Sequence, residues 1–273
     1  MTPPIPVLGI AGNFTGHLEQ AGEANDFTEV KAAAGKPKGI FPIFLPIDGH
    51  RLSTWPCSAD TLQLPDLDTR VQPEPELALK LDLQWDGDRV VGLQPVAFAA
   101  FDDTSLRKAA PKISFKKNWG PNSKGLSDTW QPIDRFSPEG ALGHVRLACF
   151  LERDGQWQAY GEDSAVRDYS TMWAELVDWS LDKLQNQQDH GPLEAIGALL
   201  RDCGCPGQVI LSIGATRYTE LGESTTVQPG DRVWIGAYDS RTVRPEDVRA
   251  ALAQGRDVPG ASALLRMVLA PSS

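Results

Sequence analysis

The sequence predicts a mainly β protein of the α+β class with a few peripheral helices, and three observations carry this. Gly (25 residues) and Pro (21 residues) are plentiful, which favours short strands and tight turns over long helices. Several segments alternate apolar and polar residues at a period of two, the mark of a half-buried strand. The strands also outnumber the helical segments without alternating with them, which disfavours a doubly wound parallel sheet.

The strongest strand runs from Glu76 to Trp85, with Leu77, Leu79, Leu81, Leu83 and Trp85 on one face and Ala78, Lys80, Asp82 and Gln84 on the other. Asp86-Gly87 is a turn signal after it, and Arg89 to Phe101 runs out of that turn as a second strand. Val145, Leu147, Cys149 and Leu151 alternate in a third, Asp154-Gly155 reverses the chain, and Gln156 to Tyr160 returns it. Gln208 to Gly214 and Arg232 to Tyr238 add two more. Helical spacing appears from Tyr169 to Gln185, with Asp168 or Ser170 as its N-cap. It recurs from Pro192 to Cys203, with Pro at N1 and Gly204 at the C′ position, and from Pro245 to Gln254, closed by Gly255. No repeat, low-complexity tract or long linker divides the 273 residues.

Composition narrows the function. Acidic residues outnumber basic ones, 36 to 26, for a net charge of −10. A nucleic-acid binder would need the opposite, a basic stripe that displaces counterions from phosphates. No apolar run reaches the ~18–20 residues of a membrane span. Met-Thr-Pro-Pro-Ile-Pro at the N-terminus lacks the basic and apolar regions of a signal peptide, so a cytoplasmic protein is expected. Four scattered cysteines (Cys57, Cys149, Cys203, Cys205) fit reduced cytosolic thiols. Cys203-Gly204-Cys205 lacks a second pair at zinc spacing and reads as a helix end.

An acidic cluster carries the chemistry. Glu74 and Glu76 flank Pro75 at the mouth of the first long strand, and residues two apart on an extended chain face the same side. Two convergent carboxylates repel unless a cation or proton lies between them, and hard oxygen ligands favour Mg²⁺, Mn²⁺ or Ca²⁺ over zinc. Asp102-Asp103 ends the next strand and can complete the site if the two strands are neighbours. Arg107 and Lys112 follow, and with a cation they suit an anionic, chelating ligand. The competing reading is a solvated strand end beside an ordinary charged loop.

The segment Pro73-Glu74-Pro75-Glu76-Leu77-Ala78-Leu79 resembles the Glu-x-Glu strand of the fumarylacetoacetate hydrolase superfamily. Ala100 to Arg107 (Ala-Phe-Asp-Asp-Thr-Ser-Leu-Arg) is similar to its Asn-Asp-Val-Ser-Ala-Arg element, and Lys112-Ile113-Ser114-Phe115 to its Lys-Ser-Phe segment. Val7 to His17 resembles the start that leads to a catalytic His, and Ile43-Phe44-Leu45-Pro46 the Phe-Leu-Lys-Pro strand. Ile213-Gly214-Ala215-Thr216 stands where the family has Gly-Thr-Pro, and Gln228 to Val233 matches its closing strand. The likeness covers roughly residues 5 to 240 in order.

The resemblance implies a distorted β-roll of the superfamily's C-terminal-domain type, forming one domain over 1–273. Residues 1–50 would carry the lid His, 51–240 the metal-binding roll, and 241–273 a C-terminal helix and tail. It further implies a homodimer and one Mg²⁺ (or Mn²⁺ or Ca²⁺) held by Glu74, Glu76 and Asp103. His17, Glu19 and Lys112 become the catalytic candidates, with Lys116 as the other choice of lysine. Asn13, Arg107, Gly214 and Thr216 become the substrate-binding candidates. The implied chemistry is hydrolysis, decarboxylation, hydration or isomerisation of a 2-oxo or 1,3-diketo acid through a metal-stabilised enolate.

The departures mark a divergent branch. Gln20 replaces the Glu expected three residues after the His, leaving Glu19 to serve only on an irregular segment. Asn-Asp has become Asp102-Asp103, which adds a fourth carboxylate. The rival from another class is a non-catalytic protein of the same fold that binds a small anionic ligand.

Overall fold

The computed structural model describes residues 4–30, 32–33 and 35–271. Met1 to Pro3, on which the reading of the N-terminus partly rests, lie outside them. The chain is an α+β protein made mostly of strands. One sheet orders Gly39–Phe44, Val7–Ala11, Gln208–Ser212, Pro75–Asp86, Arg89–Asp102, Lys124–Leu126 and Cys57–Ser58, with Gln131–Pro132 also paired to Arg89–Asp102. The second orders Gln156–Ala165, Val145–Arg153, Arg232–Asp239, Ser262–Leu269 and Thr61–Gln63. Arg70–Gln72 and Ser105–Arg107 form a small antiparallel pair. Among the described residues no helix is long and apolar enough to cross a membrane.

The predicted hairpins form as expected. Pro75–Asp86 pairs antiparallel with Arg89–Asp102 from Asp86↔Arg89 to Pro75↔Asp102. Asp154 and Gly155, both at positive φ, join Val145–Arg153 to Gln156–Ala165, the backbone a two-residue hairpin loop requires. The helices differ in their starts. The first is Trp173–Asn186 and begins after Met172, because Asp168 instead accepts from the Ala165 N–H in a separate short turn. The second is Ile196–Asp202, without Pro192, while Gly204 does close it at φ 80°. The third, Pro245–Ala253, has Pro at its start as expected.

Leu77, Leu79 and Leu81 belong to the same core cluster as Leu147, Ile235 and Leu264 of the second sheet. The opposite face of the first long strand is buried at its start, at Glu74, Glu76 and Ala78, and becomes exposed by Gln84; Ala78 packs in a second cluster with Phe41, Phe101 and Ile113. The N-terminal 50 residues therefore do more than carry a lid, since Val7–Ala11 and Gly39–Phe44 are strands of the first sheet.

The expected C-terminal tail is a strand, Ser262–Leu269, paired between Arg232–Asp239 and Thr61–Gln63. It alternates buried Ser262, Leu264, Arg266 and Val268 with more exposed partners. A cation in an inward slot hides this alternation from a hydropathy pattern. Arg266 is fully buried; its Nη1 donates to Asp102 Oδ2 at 2.6 Å, and Nη2 donates to the carbonyls of Thr61 and Asn122. Breaking a buried ion pair from one side costs about 3–5 kcal/mol. Arg266→Met should lower stability by that order in denaturant melts, and adding Asp102→Asn should restore part of it. A loss no larger than the roughly 0.2–1 kcal/mol of an exposed pair would remove the pair from this role.

Candidate metal centre

The 75–86 and 89–102 hairpin brings the two acidic pairs together. Asp103 N–H donates to the Glu74 carbonyl at 3.0 Å, and one oxygen each of Glu74, Glu76 and Asp103 lies within 4.8 Å of the others. All three residues are at most 2% exposed. Glu76 Oε2 accepts from the Ser212 hydroxyl and from the Gly214 N–H (3.0 Å). Glu74 Oε2 accepts from Ser105 Oγ (2.9 Å) and Lys117 Nζ (2.7 Å). Lys117 and Lys124 lie 2.6 and 3.1 Å from the Asp103 oxygens, and Arg107 Nη2 lies 2.7 Å from Glu74 Oε1. The buried oxygens are thus met by cations, and a metal here would compete with them. Three carboxylates converging on one small cavity still form an oxygen donor set that fits a hard divalent cation.

Asp102 is the neighbour rather than a member of this set. Its Oδ1 accepts from the N–H groups of Glu74 (3.1 Å) and Thr104 (2.9 Å), and its Oδ2 from Thr104 Oγ1 (2.7 Å) and Arg266. All its acceptor capacity goes into holding the loop that presents Glu74 and Asp103.

Burial works against every charge here, and the outcome depends on partners. Burial pushes Glu74 up, but Lys117, Arg107 and His17 overcome it and hold the carboxyl well below its usual range. Burial and the neighbouring Asp103 leave Glu76 well above that range, despite Lys117. Asp103 is raised by burial against the pull of Lys117 and Lys124. Lys117, although buried, is held charged by Asp103, Glu74 and Glu23.

The lysine of the site is Lys117, not Lys112 or Lys116. Lys112 Nζ donates to Asp189 (2.7 Å) and the Leu193 carbonyl (2.8 Å), away from the carboxylates. The single turn Ile113–Lys116 that follows it carries Lys117 inward, where its Nζ lies 5.2 Å from the Phe41 ring centre. Counting along the chain cannot reveal that turn. Lys124 was also missed; its only signal is that its strand follows the Lys-rich loop.

His17 is buried, with Nε2 3.6 Å from Glu74 Oε1 and Nδ1 without a partner. Glu19 is exposed on the short helix His17–Gln20. Gln20 spends both ends of its amide on the Tyr218 backbone, donating to the carbonyl (3.2 Å) and accepting from the N–H (3.0 Å). The buried carboxylate of this segment is Glu23, whose Oε1 meets Arg107 Nη1 at 3.1 Å and Lys116 Nζ at 3.2 Å. Burial raises Glu23, yet Lys117 and Arg107 bring it below its ordinary value, so it is ionised.

The expected substrate contacts divide. Asn13 is a brace: it donates to the Thr171 and Ile213 carbonyls (3.0 and 2.9 Å) and accepts from the Thr171 N–H. Gly214 supports Glu76 through its N–H, and its own φ of 105° makes room for Asn13, whose atoms a Cβ there would meet at 3.1 Å. Thr216 is buried with an unpartnered hydroxyl. Arg107 sits among Gln72, Tyr218, Glu23 and Glu74, the last at 2.7 Å. A larger cavity of about 680 Å³ lies elsewhere, lined by Phe44, Pro46, Cys203 and Cys205 among others, and brings no such charged cluster together.

A family model matches residues 23–268, described as a family of unknown function, DUF5718. The chain belongs to this family. The matched residues include the carboxylates and exclude His17. No curated protein matches the chain. Among solved structures it is similar to 2-keto-3-deoxy-D-arabinonate dehydratase complexed with magnesium and 2,5-dioxopentanoate (14% identity, TM-score 0.58, 99% of this chain and 75% of that one). It is also similar to 5-carboxymethyl-2-hydroxymuconate delta-isomerase from Mycobacterium smegmatis (16%, 0.54, 99% and 82%). A fumarylacetoacetate hydrolase family protein from Yersinia pestis CO92 matches too (16%, 0.52, 87% and 91%). The DUF5718 chain thus has the fumarylacetoacetate hydrolase fold, as its sequence resemblance led us to expect.

A metal bound here would compete with protons for Glu76 and Asp103, whose carboxyls burial raises above their usual range. Affinity should therefore fall as pH falls through those raised values. Calorimetric titration with Mn²⁺ at several pH values should show that fall, and Glu74→Gln and Glu76→Gln should abolish binding. Parent-like affinity in both variants would overturn the assignment.

Proposed function

We propose that this DUF5718 protein is a divalent-metal-dependent enzyme acting on a 2-oxo or 1,3-diketo acid, within the distorted roll that the resemblance implies. The observation that carries the proposal is the buried Glu74–Glu76–Asp103 cluster, three carboxylates converging on the cavity that His17 and Lys117 also line. Glu74, Glu76 and Asp103 would hold Mg²⁺ or Mn²⁺, which when bound supplies Lewis-acid stabilisation of an enolate. Lys117 keeps Glu74 ionised and presents a charged donor beside the ligands, where an anionic oxygen of the substrate would sit. His17 would move the proton at Nε2, which lies 3.6 Å from Glu74 Oε1, in the absence of the usual helix partner. Gln20 is bound to the Tyr218 backbone and Glu19 is exposed, so neither completes a water-activating pair. This favours enolate-forming reactions (decarboxylation, isomerisation, dehydration, retro-aldol cleavage) over hydrolysis of a carbon–carbon bond.

A second reading, an anion-binding protein without turnover, draws on one observation: Lys117 and Lys124 already compensate Asp103. A screen of 2-oxo and acylpyruvate acids with Mg²⁺ or Mn²⁺, with and without chelator, separates the two. Chelator-sensitive turnover is expected, and general acid–base help is worth about 10²–10⁴ in rate, so His17→Ala should slow it by that factor. A parent-like rate would remove His17 from the mechanism, and no turnover on any acid would favour the second reading.

The protein is further proposed to be a cytoplasmic homodimer. Leu265, Met267 and Leu269 leave an apolar stripe, each 41% exposed, along the last strand, and two-fold dimers are the commonest way to cover such a surface. Light scattering should give twice the chain mass of 29.7 kDa; the single-chain mass at micromolar concentration would refute this.

A further inference from the structure

The cavity that Glu74, Glu76, Asp103, His17 and Lys117 line measures only about 20 Å³, room for an ion or a water and not for an oxo acid. Glu23 also lines it, and on the other side of Glu23 lies a second cavity of about 290 Å³ bounded by Gly22, Asp26, Arg107, Lys108 and Lys116. One side chain therefore stands between the metal ligands and the only adjoining space of substrate size among the cavities described. Its Oε1 bridges Arg107 (3.1 Å) and Lys116 (3.2 Å). Arg107 lines the second cavity and reaches Glu74, a lining residue of the first, at 2.7 Å.

Building on the metal-dependent reading above, we propose that Arg107 and Lys116 form an anion subsite for the distal carboxylate of a dicarboxylic 2-oxo acid, held closed by the carboxylate of Glu23. The exchange conserves charge. When Glu23 leaves, a diacid puts an equivalent carboxylate between the same two buried cations. A monoacid leaves Arg107 with Glu74 alone and Lys116 with Asp26 alone, one buried counter-charge fewer than before, and losing one partner of a buried ion pair is penalised. The site thus selects diacids by what happens to its own cations, the mode of discrimination that rejects substrates lacking a required polar group. Asp26 stays on Lys116 but is the more exposed of its two acids, 29% against 7% for Glu23, and Lys108 adds a third cation to the outer cavity. Glu23 directly follows Gly22, which sits at φ 69° with no atom within 4 Å of where its Cβ would be, so the backbone beside Glu23 has space around it.

The test titrates Mn²⁺ alone first, since its failure to bind would overturn the metal-dependent reading and this subsite with it. The Mn²⁺-loaded protein is then titrated with 2-oxoglutarate and with 2-oxopentanoate, which has a methyl group in place of the distal carboxylate. At least tenfold tighter binding of 2-oxoglutarate is expected. Glu23→Gln should tighten 2-oxoglutarate several-fold, because the tethered competitor loses its charge. Lys116→Met should abolish the preference while Mn²⁺ affinity stays at the parent value. Equal affinities in the parent, weaker 2-oxoglutarate binding in Glu23→Gln, or no binding of either acid to the Mn²⁺-loaded protein would each overturn the subsite.

Discussion

The whole site hangs on one buried carboxylate, Asp102. Four donors converge on it: the Glu74 and Thr104 N–H groups, the Thr104 hydroxyl and the Arg266 guanidinium. A buried carboxylate with that many donors is fully satisfied, and a satisfied polar network rigidifies what it touches. What it touches is the turn that displays Glu74 on one strand end and Asp103 on the other. Arg266 comes from the last strand of the second sheet, so the pair also ties the two sheets together at the depth of the carboxylates. The first sheet alone would leave the hairpin end with two adjacent acids and no reason to hold one inward and one aside.

That arrangement explains which parts of the site could be read from the chain. Glu74 and Glu76 were legible because a strand has a period of two, and Asp103 because Asp86-Gly87 makes the neighbouring strands a hairpin. Both arguments are local. Arg266 was invisible because its strand pairs with residues at least 25 positions away and places a cation where hydropathy expects an apolar residue. Lys117 was missed for the opposite reason, a single turn of helix between two candidate lysines that shifts the facing side chain without altering the pattern. Glu23 was missed because attention to the position three after His17 presumes a regular helix, and the helix ends at Gln20.

The charges of the site form one network. Glu23, Glu74 and Asp103 face Arg107, Lys116, Lys117 and Lys124 in near balance, all within the interior. In such a network no group titrates alone. Burial raises both glutamates; at Glu74 Lys117, Arg107 and His17 overcome it, whereas at Glu76 Asp103 and Glu74 add to it against the pull of Lys117. Three chemically similar carboxylates are thereby given different proton affinities by position, which is how one site can both hold a cation and handle a proton.

Gln20, where the sequence resemblance led us to expect a glutamate, gains a physical sense in this context. Gln20 is a neutral amide that closes two hydrogen bonds on a single peptide, that of Tyr218. The same tyrosine accepts from Arg107 through its hydroxyl, donates to the Pro73 carbonyl and stacks its ring 5.2 Å from His17. A glutamate at position 20 could accept from the Tyr218 N–H but would face its carbonyl with a second acceptor, and the clasp would fail. The segment after Gly16 is therefore fastened twice, by means of different character. The amide clasp at Gln20 is insensitive to what enters the site, whereas the ion pair at Glu23 competes directly with any anion that does. The two contacts thus differ in kind, and the one an anion could replace, at Glu23, is the one that borders the larger of the two cavities.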